Sequence, residues 1–143
     1  MPRRNTRGRK EMLSRTLEVV SFRTSVHLGA VAPRGEEPYI ECQTWLELSG
    51  TMNEPVRDVL DVVINMYPKD KVEPGSVRPA AVGAVLQIRP HLDVVAAFPS
   101  VDFDRMLVLA IGGQLKHGHL CFTTPHRNKA LVVSMSFSSE PEE

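Results

Sequence analysis

The densest group of chemically capable side chains lies in "HGHLC", residues 117–121, with one more histidine just downstream. Three of the chain's five histidines and one of its two cysteines fall within residues 117–126. Imidazole nitrogen and thiolate sulfur together make a ligand set for zinc or another divalent metal. On an extended segment alternate residues share a side, so His117, His119 and Cys121 would project as one row. His126, in the turn that follows, is near enough in sequence to supply a fourth ligand. The same row offers a second chemistry, a Cys121–His119 thiolate–imidazolium pair. Side chains two apart on a strand stand parallel, however, and no third group is placed to orient either one.

Gly118 and its two flanking histidines resemble the first metal motif of the cupins, in which two histidines alternate on a barrel strand. That resemblance implies a divalent metal held by His117 and His119. It covers three residues, and the glutamate of the cupin motif is replaced by Thr123 and Thr124. Cupin ligands also point into the barrel. Here Leu120 and Phe122 mark the opposite parity as the apolar side, so the histidine row faces outward.

Other chemistry is sparse. Asp58/Asp61 and Asp102/Asp104 are close acid pairs, but the first falls on the wet side of its segment and the second at a helix start. "LELSG", "GAVLQ" and "AIGGQ" contain small residues without forming a nucleophile elbow, a phosphate loop or a dinucleotide fingerprint. Charge sums to zero, with 17 basic and 17 acidic residues, yet it is unevenly spread. The N-terminal stretch MPRRNTRGRK is basic and would suit phosphate. It lacks interleaved aromatics for base stacking, and the remainder of the chain is slightly acidic.

The elements that position these residues alternate with period two. In "TLEVVSFRTSVHL" Val20, Phe22, Val26 and Leu28 share one parity, against Ser21, Arg23, Ser25 and His27. In "YIECQTWLELSG" Ile40, Cys42, Thr44, Leu46 and Leu48 share a face, which makes Cys42 a small core residue. Tyr39 and Trp45 fall on the outward face of that strand, where an aromatic pair marks a contact with another subunit or layer. "MNEPVRDVLDVVINMYP" carries both a helical stripe and a strand alternation. Its four valines and one isoleucine favour a strand after a hairpin loop at "SGTMNEP". From Ala80 to Phe98 the even positions are apolar, with a break or bend at Pro90. "SVDFDRMLVLAIGGQ" has the spacing of a helix, capped by Asp102 or Ser100 and stopped at Gly112–Gly113. Two strands close the chain, Leu115–Thr124 and then Lys129–Glu140, with Leu131, Val133, Met135 and Phe137 on the inward side.

The expectation is a single mainly β domain over residues 16–139, an antiparallel β-sandwich of about seven or eight strands with one short helix near 102–111. A flexible basic arm, 1–15, would precede it and an acidic tail, 140–143, would follow. No apolar run approaches the ~20 residues of a membrane span, the N-terminus has no apolar leader segment, and two cysteines make no disulfide framework. These features place the chain in a reducing cytoplasm. A non-catalytic binding or assembly module is the leading expectation, with apolar residues on wet faces (Tyr39, Trp45, Val63, Val85, Val95, Val132) supporting a homodimer through a sheet face. A metal protein using His117, His119 and Cys121 is the alternative, and nucleic-acid binding through the basic arm is the third.

Overall fold

The computed structural model describes residues 11–69 and 81–141. Its strands are β1 (Met12–Val31), β2 (Tyr39–Val56), β3 (Val59–Pro68), β4 (Gly83–Gln87), β5 (Leu92–Phe98), β6 (His117–Thr123) and β7 (Ala130–Ser138), with one helix, α1 (Ser100–Ile111), between β5 and β6. The strand-rich composition and the single helix match the expectation. The sandwich does not: the sheet closes into a barrel in the order β1-β2-β3-β5-β4-β7-β6. Closure comes from β1, whose residues Met12–Glu18 pair antiparallel with β6 along Thr123–His117. Residues 12–15, expected in a flexible arm, are therefore part of the barrel wall, while 1–10 lie outside the described residues. β3 and β5 run parallel and every other neighbouring pair is antiparallel.

The inside of the barrel is filled by alternate side chains, among them Leu17, Leu46, Leu48, Ile64, Met66, Leu92, Val94, Leu120 and Phe122. A small barrel bends its strands sharply, and bulges supply the bend at the cost of local parity. β1 shifts register between Val19 and Ser21, and β4 shifts between Val85 and Gln87. The β6–β7 ladder shifts between Cys121 and Phe122, where β7 skips from Ser134 to Val132. Val85 and Val132, expected on wet faces, are consequently buried in the core, while Leu131 is exposed. At Gly50 a Cβ would lie 2.4 Å from the Glu18 carbonyl oxygen, so glycine permits the close approach of β1 to β2 at the first bulge.

The segment around 54–67 is strand, as its β-branched content favours, but the hairpin turn falls later than "SGTMNEP". β2 continues to Val56, and Arg57–Asp58 makes a two-residue turn with φ of 46° and 69°. Arg127–Asn128 repeats that conformation between β6 and β7, with φ of 51° and 65°. Positive φ at both central residues matches the right-handed twist of the flanking strands. The two turns are tied together. The Arg57 guanidinium donates to Asn128 Oδ1 at 2.8 Å and to the Pro125 carbonyl at 3.0 Å, and Arg89 donates to the Arg57 carbonyl at 2.9 Å. Arg15, on the inward parity of β1, donates to the Pro55 carbonyl at 3.1 Å at this same end.

The helix follows β5 and lies across the other end, burying Phe103 and Ala110. Neither Asp102 nor Ser100 caps it as expected. Pro99 occupies the N-cap position without a side-chain cap, and Asp102 sits in the first turn, 3.9 Å from Arg105. The glycine stop does form. Gln114 N–H donates to the Leu109 carbonyl and Gly113 N–H to the Ala110 carbonyl, with Gly113 at φ +72°. That is the double-bonded left-handed helix end that a glycine at this position allows.

Candidate interaction surface

β1 and β2 are much longer than the barrel wall needs. β6 accompanies β1 only as far as Glu18, and β3 accompanies β2 only from Leu46 onward. Beyond those points, among the described residues, the two strands pair only with each other, from Ser25–Trp45 to Val31–Tyr39, seven cross-strand pairs in unbroken register. At ~3.3 Å per residue the free part of this ribbon is about 23 Å long. It leaves the barrel at the end where β3 finishes, since Leu46 pairs with Met66 near the close of β3.

The ribbon has two unlike faces because each strand keeps alternating after its cover ends. One face carries Arg23, Ser25, His27, Glu41, Gln43, Trp45 and Glu47. Arg23 and Glu47 form an ion pair across it at 2.9 Å, and Gln43 donates to Glu41 at 3.2 Å. The other face continues the barrel's inner surface past the rim. It holds Phe22, Thr24, Val26, Leu28 and Ala30 from β1, opposite Leu48, Leu46, Thr44, Cys42 and Ile40 from β2. Leu46 and Leu48 remain inside the barrel, with at most 1% of their surface accessible. Phe22, opposite Leu48 at the rim, is 45% exposed, and further out on the same parity Val26 is 66%, Leu28 67% and Ile40 75% exposed. Val26, Leu28 and Cys42, expected in the core, are thus exposed. Alternation showed correctly that they share a face; it held no information about whether anything covers it.

Tyr39 and Trp45 do lie on the outward face. Tyr39 stands at the last pair of the ribbon, and Trp45 packs against Tyr67 of β3 on the outside of the barrel, ring centroids 5.2 Å apart and tilted by 46°. The structure therefore places the aromatic pair on the polar side, behind the apolar strip.

The histidine row sits where parity puts it, on the outer wall of β6. His117, His119 and Cys121 are half-buried, flanked by Glu18, Thr16 and Ser14 on β1 and by Ser138, Ser136 and Ser134 on β7. His119 Nε2 is hydrogen-bonded to Ser14 Oγ, so one ring nitrogen already has a protein partner. His117 also lines a hollow of about 420 Å³ with Glu18, Asn53, Ser136 and Ser138. His126 is in a separate bridge with Lys129 beyond the strand end. Among the described residues no three histidine, cysteine or acidic side chains are grouped to hold a metal ion. Cys42 and Cys121 are both free.

The surface that sequence reasoning missed is the apolar strip of the ribbon. The strands are 20 residues long in β1 and 18 in β2, against a common strand length of about 5–6. Strands that long outrun a small barrel. Among the described residues no helix is long and apolar enough to cross a membrane. Set beside protein-family models, curated proteins and solved structures, this chain matches none of them.

Proposed function

We propose that the protein is a non-catalytic binding or assembly module, with the closed barrel as a rigid base and the projecting ribbon as its contact element. The observation that carries this reading is the apolar face of Val26, Leu28 and Ile40 on the two projecting strands, continued at the barrel rim by Phe22 and left exposed by the described residues. Soluble monomers seldom expose a contiguous apolar patch larger than a few hundred Å² without a use for it. A two-stranded ribbon alone is also only marginally stable in water, so a partner laid on this face both hides apolar surface and stiffens the element.

The charge on the ribbon and its tip argues against nucleic acid as that partner. Arg23 and Arg34 are outnumbered by Glu36, Glu37, Glu41 and Glu47, and a phosphate backbone requires the opposite balance.

The test compares proteins retained by the tagged full chain with those retained by a Val26→Glu/Leu28→Glu variant, a tagged second copy being included among the candidates. The reading expects at least one specific partner to be lost in the variant. A set of partners identical for both chains would refute it.

A further inference from the structure

We infer that the occupant of the ribbon's apolar face is a second copy of this chain, the two ribbons packing face to face about a twofold axis. This rests on the reading of the ribbon as a contact element and names what it contacts.

Three features of the face support a copy of itself. The first is charge. Every charged side chain of the ribbon stands on the opposite face or at the tip. Two apolar faces can therefore meet without burying an unpaired charge, the costliest defect of an interface. The acidic excess stays on the outer sides, where water screens it.

The second is area. Phe22, Val26, Leu28 and Ile40 are 45–75% exposed, and with the smaller side chains between them the face offers at most on the order of 600 Å² per copy, so complete burial in two copies would approach about 1,200 Å², the lower bound of specific protein interfaces. A copy therefore offers burial on the scale of the smallest specific interfaces, with Phe22 and Thr24 at the barrel rim included in it.

The third is relief. Two of the three pairs on this face of the free ribbon set a large side chain beside a small one: Leu28 beside Cys42 and Ile40 beside Ala30. The face thus has ridges with hollows next to them, and a twofold axis presents the ridges of one copy to the hollows of the other. The product is four strands in two layers with a closed apolar interior. A sheet pair packed in this way is the ordinary means of covering one-sided strands.

The full chain is examined by sedimentation velocity across a concentration series, and Cys42 alkylation is followed in a Cys121→Ser variant. We expect the mass to rise from 15.9 kDa toward twice that value. Cys42 alkylation should slow at least about tenfold in the concentrated sample, because a covered thiol reacts only through opening. Val26→Glu/Leu28→Glu should hold the chain monomeric with an unchanged far-ultraviolet spectrum, while Arg23→Ala on the other face leaves the dimer intact. The alkylation arm carries no change on the ribbon, so it decides even if the charged variant misfolds. A chain that stays monomeric with Cys42 equally reactive throughout overturns the inference, as does a dimer indifferent to Val26→Glu/Leu28→Glu. A monomer that nevertheless loses a different protein on ribbon substitution overturns only the identity of the partner; a monomer with no ribbon-dependent partner overturns the contact element as well.

Discussion

Leu28 and Leu46 share one face of the same strand pair, yet truncating each to alanine should have very different consequences. Leu46 is 0% exposed inside the barrel and Leu28 is 67% exposed on the ribbon. Leu46→Ala removes a close-packed side chain from a filled interior, which costs about 2–5 kcal/mol including the cavity left behind. Fully burying a leucine contributes about 1.5–3 kcal/mol, and Leu28 has about a third of its surface covered, so its truncation in the monomer should cost roughly 0.5–1 kcal/mol. With a urea slope of about 2 kcal/mol per M, the midpoint should fall by about 1–2.5 M for Leu46→Ala and by about 0.5 M or less for Leu28→Ala. Unfolding is followed by far-ultraviolet circular dichroism and by the fluorescence of Trp45, the chain's single tryptophan. Its packing on Tyr67 reports directly on the join between ribbon and barrel. The dilute sample isolates the monomer. At high protein concentration the wild-type midpoint should rise through association while that of Leu28→Ala lags behind, widening their separation. If Leu28→Ala lowers the dilute midpoint as far as Leu46→Ala does, the ribbon face is covered within one chain and the reasoning is wrong.

Three further outcomes follow from the barrel itself. Gly83→Ala would place a Cβ 2.2 Å from the Val95 carbonyl oxygen, a backbone atom that cannot step aside without opening the β4–β5 ladder. A loss on the order of 3 kcal/mol or more is expected in thermal unfolding, whereas a melting temperature close to wild type would contradict the register. Arg57→Ala removes both bonds that tie the two end turns together and should cost about 1–2 kcal/mol, with a double-mutant coupling to Asn128→Ala above ~0.5 kcal/mol; additive effects would show that the turns are independent. Protein purified without a histidine tag should retain zinc well below one equivalent, given the Ser14 bond to His119. A full equivalent that disappears in His117→Ala/His119→Ala would favour the metal reading instead.

Much of the local structure was legible in the residues. Period-two alternation located β2, β5 and β6, and the inward parity of Leu120 and Phe122 placed His117, His119 and Cys121 on the outer wall. The β-branched run around Val59–Ile64 favoured a strand, and the helix with its glycine stop appeared within two residues of its expected start. These features depend on a residue and its near neighbours, where propensity and periodicity act. Parity failed wherever a bulge intervened, at Val20, Leu86 and Val133, because one extra residue reverses the face of everything beyond it.

The sequence by itself determined that strands dominate, that each has a wet and an apolar side, and which residues share a side. Tertiary structure alone decided what meets those sides. Whether the sheet closed into a barrel or folded into two layers depended on the Met12–Glu18 pairing with β6, a contact across about a hundred residues of chain that alternation cannot register. The fate of the apolar face depended on the same geometry. The barrel wall ends near Leu46, and beyond it an identical pattern of side chains passes from core to open surface. A hydrophobic residue is driven out of water only when another surface is within reach. Leu46 has that surface inside the barrel, and among the described residues Leu28 stays mostly exposed.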